Sequence, residues 1–304
     1  MSIKTDLRAD FILLITAFIW GLAFVFQRTG MEHIGPITFT LGRFLIGALA
    51  ILPLWYLMER PKRIFEFSAI NKKAASLGLV LTAGMLCQQA GLIYTTAGRA
   101  GFLTGVYIIF VPLIGLFFRN KTQWPTWLGI LMALVGLYFM AQVDNSEFFT
   151  GDILILVSSV LFAVHVIFTG RLAHLTSPFQ LIFIQFTVAA IISALLVPIF
   201  ESWNWQGIKD AGIALLYVGV LSSGVAFCLQ VVGQRTAPAS HAAIILSFEA
   251  VFAAICGWWL LGEVLSDSEM LGCGLIFAGG IVSQLKVLLK QVPGKPIQHP
   301  HGVN

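Results

Sequence analysis

Long apolar runs rich in Ile, Leu, Val, Phe and Ala follow one another along this chain, separated by short polar clusters. Ten of them stand out, at residues 9–27, 36–58, 75–95, 101–118, 125–142, 152–170, 178–200, 211–231, 241–261 and 270–289. A helix needs about 20 mostly apolar residues to cross the hydrocarbon core of a bilayer. The pattern therefore predicts ten membrane-spanning helices. Their connections are short and carry turn and charge signals, as in Thr95-Thr96-Ala97-Gly98-Arg99 and Asp144-Asn145-Ser146.

The runs also resemble one another in order. Sliding the chain along itself until Ala9 falls on Gly151 sets the whole of Ala9–Pro36 on Gly151–Pro178 without a gap. Asp10 then meets Asp152, Leu14 meets Leu156, Phe26 meets Phe168, Pro36 meets Pro178, and further on Phe44 meets Phe186. A slightly shorter slide sets Thr96-Ala97 on Thr236-Ala237. Spans 1–5 and 6–10 read as two copies of one unit. Five is odd, so the second copy enters the membrane from the opposite side. The predicted fold is an all-α membrane protein whose ten transmembrane helices form a 5+5 inverted-topology repeat, an architecture of secondary transporters with a site near the midplane. The first unit covers 1–146 and the second 147–290, and 291–304 is a cytoplasmic tail.

Composition agrees. Apolar residues make up 58% of the 304 and charged residues only 11%, against about 25% in a soluble domain that must solvate its surface. The net charge of +4 matters less than its placement. With the N-terminus cytoplasmic, only Arg28, Arg99 and Lys209 of the 18 Lys and Arg residues fall outside, and Arg43 lies within a span. The positive-inside rule then puts both termini in the cytoplasm, and the expected location is the inner membrane. The polar start of the chain, Met1 to Asp10, and the lack of a small-residue cleavage motif give no sign of a signal peptide. Cys87, Cys228, Cys256 and Cys273 all sit in apolar runs without Cys-x-x-Cys spacing, as inert packing thiols do. His299 and His301 beside a proline make a poor metal site in a solvated tail. No metal, cofactor or nucleic-acid partner is expected.

Three stretches carry a family resemblance. The first is Ala17-Phe18-Ile19-Trp20-Gly21 with Arg43-Phe44. The second runs from Gly91-Leu92-Ile93-Tyr94-Thr95-Thr96-Ala97-Gly98-Arg99 through Ala100-Gly101-Phe102-Leu103-Thr104-Gly105 to Val111-Pro112-Leu113. The third is Glu249-Ala250-Val251-Phe252-Ala253-Ala254 followed by Leu260-Leu261-Gly262-Glu263. Their order and spacing over residues 9 to 290 resemble the drug/metabolite transporter superfamily, in particular its EamA-type bacterial members. Ala250 departs from the pattern, since the family often has proline after that glutamate, and with it goes the proline kink. The resemblance implies uptake or efflux of metabolites, amino acids or drugs.

Polar groups inside a span need a reason. Glu249 is the acidic residue that falls mid-span, either as a proton or substrate-cation site or as a structural carboxylate. Arg43 lies about 10 Å below the outer end of span 2 at 1.5 Å per residue. It can pair with Glu249, snorkel to the outer headgroups, or bind a substrate carboxylate. Gln88 and Gln89 offer donors and acceptors to a polar substrate or to neighbouring helices. His165 is a candidate proton shuttle or a packed neutral histidine. Gln185 takes the slot of Arg43 in the repeat. Ser222-Ser223-Gly224 weakens span 8 and Pro112 kinks span 4. Trp20 and Tyr107 suit a cavity wall, and Trp258 and Trp259 an interfacial belt. The expected substrate contacts are Trp20, Gln88, Gln89, Tyr107, His165 and Ser223, in a cavity lined by spans 1, 3, 4, 6, 8 and 9. Glu249 and Arg43 supply proton coupling or a structural ion pair.

The rivals lack their marks. A zinc enzyme needs His-Glu-x-x-His and an aspartyl enzyme two mid-span acids, and neither pattern occurs. No P-loop supports ATP-driven pumping, and a channel usually assembles its pore from several subunits. The reading is a non-enzymatic secondary transporter of small molecules, working outward, with protons as a candidate coupling ion. A facilitative channel-like permease is the alternative, and an intramembrane enzyme a more distant one.

Overall fold

A computed structural model of the chain describes residues 3–59, 69–117, 124–140, 150–264 and 266–283, and among these no strand occurs. The tail at 291–304, with His299 and His301, lies outside the described residues, as do the ends of predicted spans 5 and 10. Eight helices are long and apolar enough to cross a membrane: Leu7–Gly30, Pro36–Glu59, Ala69–Leu92, Ala97–Phe117, Thr150–Leu172, Pro178–Phe200, Gly212–Gln234 and Ala239–Leu261. Two shorter apolar helices, Trp124–Gly136 and Met270–Val282, occupy the places of spans 5 and 10. The protein is an all-α membrane protein, and among the described residues its eight long and two shorter apolar helices follow the predicted order.

Local chemistry sets the helix ends. Pro36 and Pro178 open spans 2 and 7, a position where a missing N–H leaves no bond unmade. The Ser177 hydroxyl caps span 7 by accepting from the Phe179 and Gln180 N–H groups, and Thr96 caps span 4 through the Arg99 N–H. Gly262, at φ 67°, closes span 9 in the left-handed region that only glycine enters freely. Outward faces carry bare apolar side chains such as Leu57, Leu195 and Ile199, the surface a bilayer solvates. Trp258 and Trp259 are exposed at the end of span 9.

The packing obeys a two-fold exchange of the halves. Span 2 packs on span 7, span 5 on span 10 and span 4 on span 9. Span 3 packs on span 6 as span 8 does on span 1, and span 3 on span 7 as span 8 does on span 2. Close glycine contacts repeat it residue by residue. Gly91 faces Gly151 and Ile155. Gly233 faces Ala9 and Leu13, the counterparts of Gly151 and Ile155 under the slide that sets Asp10 on Asp152. Gly136 meets Gly272, Leu275 and Ile276, and Gly279 meets Gly129, Met132 and Ala133. With an odd number of spans per half, such a two-fold lies in the membrane plane and inverts the second unit.

Two register details correct the sequence reading. Span 4 starts at Ala97 and span 9 at Ala239, so the structural offset there is the one that relates Asp10 to Asp152. Thr96-Ala97, the cap and first residue of span 4, therefore fall structurally on Pro238-Ala239 and not on Thr236-Ala237. Gly78 meets Gln185 and Val188 as Gly219 meets Arg43 and Ile46. Under the offset that carries Gly91 to Gly233, Gly78 falls on Val220, yet its structural counterpart is Gly219. Span 8 thus holds one residue more than span 3 between these contacts. The π-helical stretch Tyr217–Ala226, which contains Ser222-Ser223-Gly224, absorbs it.

Candidate functional site

Spans 4 and 9 are both interrupted, at neighbouring positions of the repeat. Span 4 divides into Ala97–Gly105 and Tyr107–Phe117, and span 9 into Ala239–Leu246 and Phe248–Leu261. After each break the turn tightens to a three-residue bond, Ile109 N–H to the Val106 carbonyl and Ala250 N–H to the Ser247 carbonyl. Pro112 lacks an N–H for span 4. Span 9 has no proline there, yet its break persists. Ser247 instead turns its hydroxyl back onto the Ile244 carbonyl at 2.8 Å, a bond that bends helices. Paired interruptions in inverted repeats mark the substrate region of transporters.

A cavity lies against these breaks, with a volume of ≈ 470 Å³ including the open space at its mouth. Its apolar wall comprises Trp20, Ala23 and Phe24 of span 1, Met85 of span 3, Phe162 and Val166 of span 6 and Phe227 of span 8. Its polar groups are Gln27, Arg43, Gln88, Thr104, Tyr107, His165, Ser222, Gln230 and Glu249. Tyr107 and Glu249 follow the breaks near the middle of their spans, which puts the cavity about halfway along them.

The structure brings together Trp20, Gln88, Tyr107, His165, Glu249 and Arg43 around this space. Trp20 is fixed by its indole N–H, which donates to the Ser222 carbonyl in the π stretch at 3.0 Å, and by its ring contact with Phe227 at 4.9 Å. Gln88 donates to the Thr104 hydroxyl at 2.9 Å. His165 Nε2 lies 2.8 Å from Gln185 Oε1. The Tyr107 hydroxyl and the Glu249 carboxyl are neighbours, but neither the hydroxyl nor Glu249 Oε1 completes a hydrogen bond of good geometry.

Three expectations change. Arg43 does not snorkel: its side chain is 1% exposed. Nor does it pair with Glu249. Its Nη1 donates to Gln27 Oε1 at 2.7 Å, and Nε and Nη2 donate to the Ser223 and Ser222 hydroxyls at 3.3 Å each. Three neutral acceptors reach it sooner than a carboxylate on span 9 can. Gln89 is buried but absent from the cavity lining, with Nε2 against Met31 Sδ at 3.2 Å. Adjacent helix positions differ by about 100°, so the two glutamines cannot share one face. Ser222, not Ser223, lines the cavity, and Ser223 stands behind it as an Arg43 partner.

Gln27 and Gln230 were not singled out by the sequence reading. Gln230 had a signal, since it falls on Gln88 under the same slide that pairs Asp10 with Asp152. Chemically, the arrangement offers an apolar slot with hydrogen-bonding groups from both halves, one buried guanidinium and one buried carboxyl. Among the described residues no cluster of His, Cys, Asp and Glu could hold a metal ion.

Ion pairs close the two ends. Arg99 Nη2 and Asp152 Oδ2 are 2.6 Å apart between spans 4 and 6. His241 Nε2 and Asp10 Oδ1 are 2.8 Å apart between spans 9 and 1. Asp10 and Asp152, like Arg99 and His241, are separated by the repeat offset, so these are one contact drawn twice, once on each membrane face.

The EamA-like transporter family model matches this chain twice, over residues 7–142 and 149–284. A transporter of Archaeoglobus fulgidus is 30% identical over 282 residues, covering 92% of this chain and 87% of that protein. The transporter YoaV of Bacillus subtilis is 25% identical over 279 residues, covering 88% and 93%. Solute carrier family 35 member F6 of Mus musculus is 28% identical over 221 residues, covering 64% and 59%. A crystal structure with 16% identity superposes with a TM-score of 0.78 over 92% of this chain and 99% of that one, which shows the fold alone.

Proposed function

Because this chain belongs to the EamA-like transporter family and is a multi-pass membrane transporter, we propose that it works as a secondary transporter with the cavity at the paired breaks as its substrate site. Alternating access moves small metabolites, amino acids or drug-like molecules outward across the inner membrane, with both termini in the cytoplasm. The observation that carries this reading is the cavity's position between inverted halves, at repeat-related interruptions, with polar lining from both. Such a site is exposed to either face by rocking one unit against the other. Glu249 is the proton-exchanging group in this scheme. A carboxyl that shares its cavity with the substrate can hold a proton or face a bound solute, and that exclusion suits antiport: proton inward, solute outward.

The test starts from cells with and without the protein, whose retained and released metabolites are compared by mass spectrometry. Solutes that differ are then assayed with purified protein in ATP-free proteoliposomes. Saturable flux with counterflow is expected. Flux that rises linearly without counterflow would establish the channel-like permease instead. Cysteine labelling of 59–74 and 143–151 from opposite faces checks the orientation.

A further inference from the structure

The two halves treat one glutamine differently. In the first, Gln88 is 4% exposed and its amide N–H is taken by the Thr104 hydroxyl. In the second, the repeat offset carries Gln88 to Gln230 and Thr104 to Leu246. The offset is anchored on both elements: by Gly91 and Gly233 after the glutamines, and by the Arg99 and His241 ion pairs at the starts of spans 4 and 9. Leucine accepts no hydrogen bond. Gln230 is fully buried, lines the cavity, and has no partner at either amide atom.

An amide so placed is expensive to leave dry, about 1–3 kcal/mol for each unmade bond. Water can occupy the cavity in the substrate-free protein, and a ligand that displaces it must return both a donor and an acceptor. The apolar part of the same wall is largely aromatic, with Trp20, Phe24, Phe162 and Phe227. We propose that Gln230 is the specificity-determining residue of this cavity, reading a carboxamide-like edge, one N–H beside one carbonyl, on a flat apolar body. Gln230 Oε1 accepts from the substrate N–H while Nε2 donates to its carbonyl. The inference rests on the proposed function only in taking this cavity as its ligand site.

The probe is benzamide, whose amide edge and ring match these two demands, with acetophenone as the same shape lacking N–H. Affinity is read from ligand-induced thermal stabilisation of purified full-length protein. Wild type is expected to bind benzamide about tenfold or more tightly than acetophenone, the cost of one unpaired buried group. Gln230→Leu abolishes that preference. Leu246→Thr keeps Gln230 but supplies the hydroxyl that Thr104 gives Gln88, and it is expected to weaken benzamide about tenfold. Its ligand-free melting temperature reports folding. Failure of benzamide to stabilise wild type, or unchanged binding in Gln230→Leu or in Leu246→Thr, overturns the proposal. Benzamide counterflow in proteoliposomes separates the two readings. Gln230-dependent binding without counterflow leaves this assignment standing and overturns the transport reading.

Discussion

If access alternates about the cavity, each symmetry-related ion pair is a latch for one face, and releasing one latch should bias the protein toward opening there. The perturbation is Asp152→Asn. The Arg99–Asp152 contact is 2.6 Å with side chains 14% and 5% exposed, between the fully exposed pairs worth about 0.2–1 kcal/mol and the buried pairs whose disruption costs about 3–5 kcal/mol. Asparagine keeps the size and one acceptor oxygen, so about 2 kcal/mol of closed-state stabilisation should go. That is about 30-fold in the closed-to-open ratio at about 1.4 kcal/mol per decade. The assay places a cysteine at Ala23, which is buried and lines the cavity, in a background with Cys87, Cys228, Cys256 and Cys273 replaced. An impermeant thiol reagent is then applied to either face of membrane vesicles. Asp152→Asn should speed labelling from the face that the charge asymmetry makes external. Asp10→Asn should speed it from the other face, and by less, because the His241–Asp10 pair is 17% and 14% exposed and charged only when the histidine is protonated. Unchanged rates in both folded variants, or acceleration from the wrong face, would refute the latch reasoning.

Three further outcomes are expected. Glu201 joins span 7 to the start of span 2 by accepting from the Ile37 N–H at 2.7 Å, the Thr38 N–H at 2.8 Å and the Thr38 hydroxyl at 2.6 Å. Glu201→Ala should cost about 2–3 kcal/mol, seen as a lower melting temperature; an unchanged one would show that water replaces all three bonds. Gly91→Ala should destabilise more than Gly233→Ala in thermal unfolding. A Cβ at 91 meets Ile155 Cγ1 at 2.5 Å and the Gly151 carbonyl at 2.6 Å, whereas at 233 it meets only the Leu13 side chain closely, at 2.7 and 2.8 Å, with backbone no nearer than 3.5 Å, and overpacking costs about 1–3 kcal/mol when backbone must yield. Glu249→Gln should remove the dependence of flux on a pH gradient while leaving melting temperature and ligand binding intact. Loss of stability and binding together would make the carboxyl structural.

How much of this was legible depended on scale. The ten helices and the doubling could be read because a bilayer demands about 20 apolar residues per span and two units left matching letters at Asp10 and Asp152 or Pro36 and Pro178. The cavity residues were partly legible, since any polar side chain in an apolar run is conspicuous. Which way each faced was not. Gln88 and Gln89 are indistinguishable in one dimension, and only rotation about the helix sends one to Thr104 and the other to Met31. The fate of Arg43 was hidden for a different reason. Its partners come from span 1 and from the π stretch of span 8; Ser222-Ser223-Gly224 marks a weak point there, but does not reveal the extra residue that alters the register.

Two identical inverted halves would present the same chemistry to both faces of the membrane. This chain departs from identity at a few places that matter. Where the first half has Arg43 the second has Gln185, held by His165. Where it has Tyr107 the second has Glu249, so one carboxyl faces one phenol across the cavity's two breaks. Thr104 gives way to Leu246, which leaves Gln230 unpartnered, and Arg99 to His241, which makes one latch permanently charged and the other dependent on a proton. The repeated glycine contacts show that these exchanges occur without disturbing the packing. In the proposed mechanism the two-fold supplies the mechanics of access, two related closures around one site. Chemistry that the two-fold does not repeat then supplies selectivity and the coupling to protons.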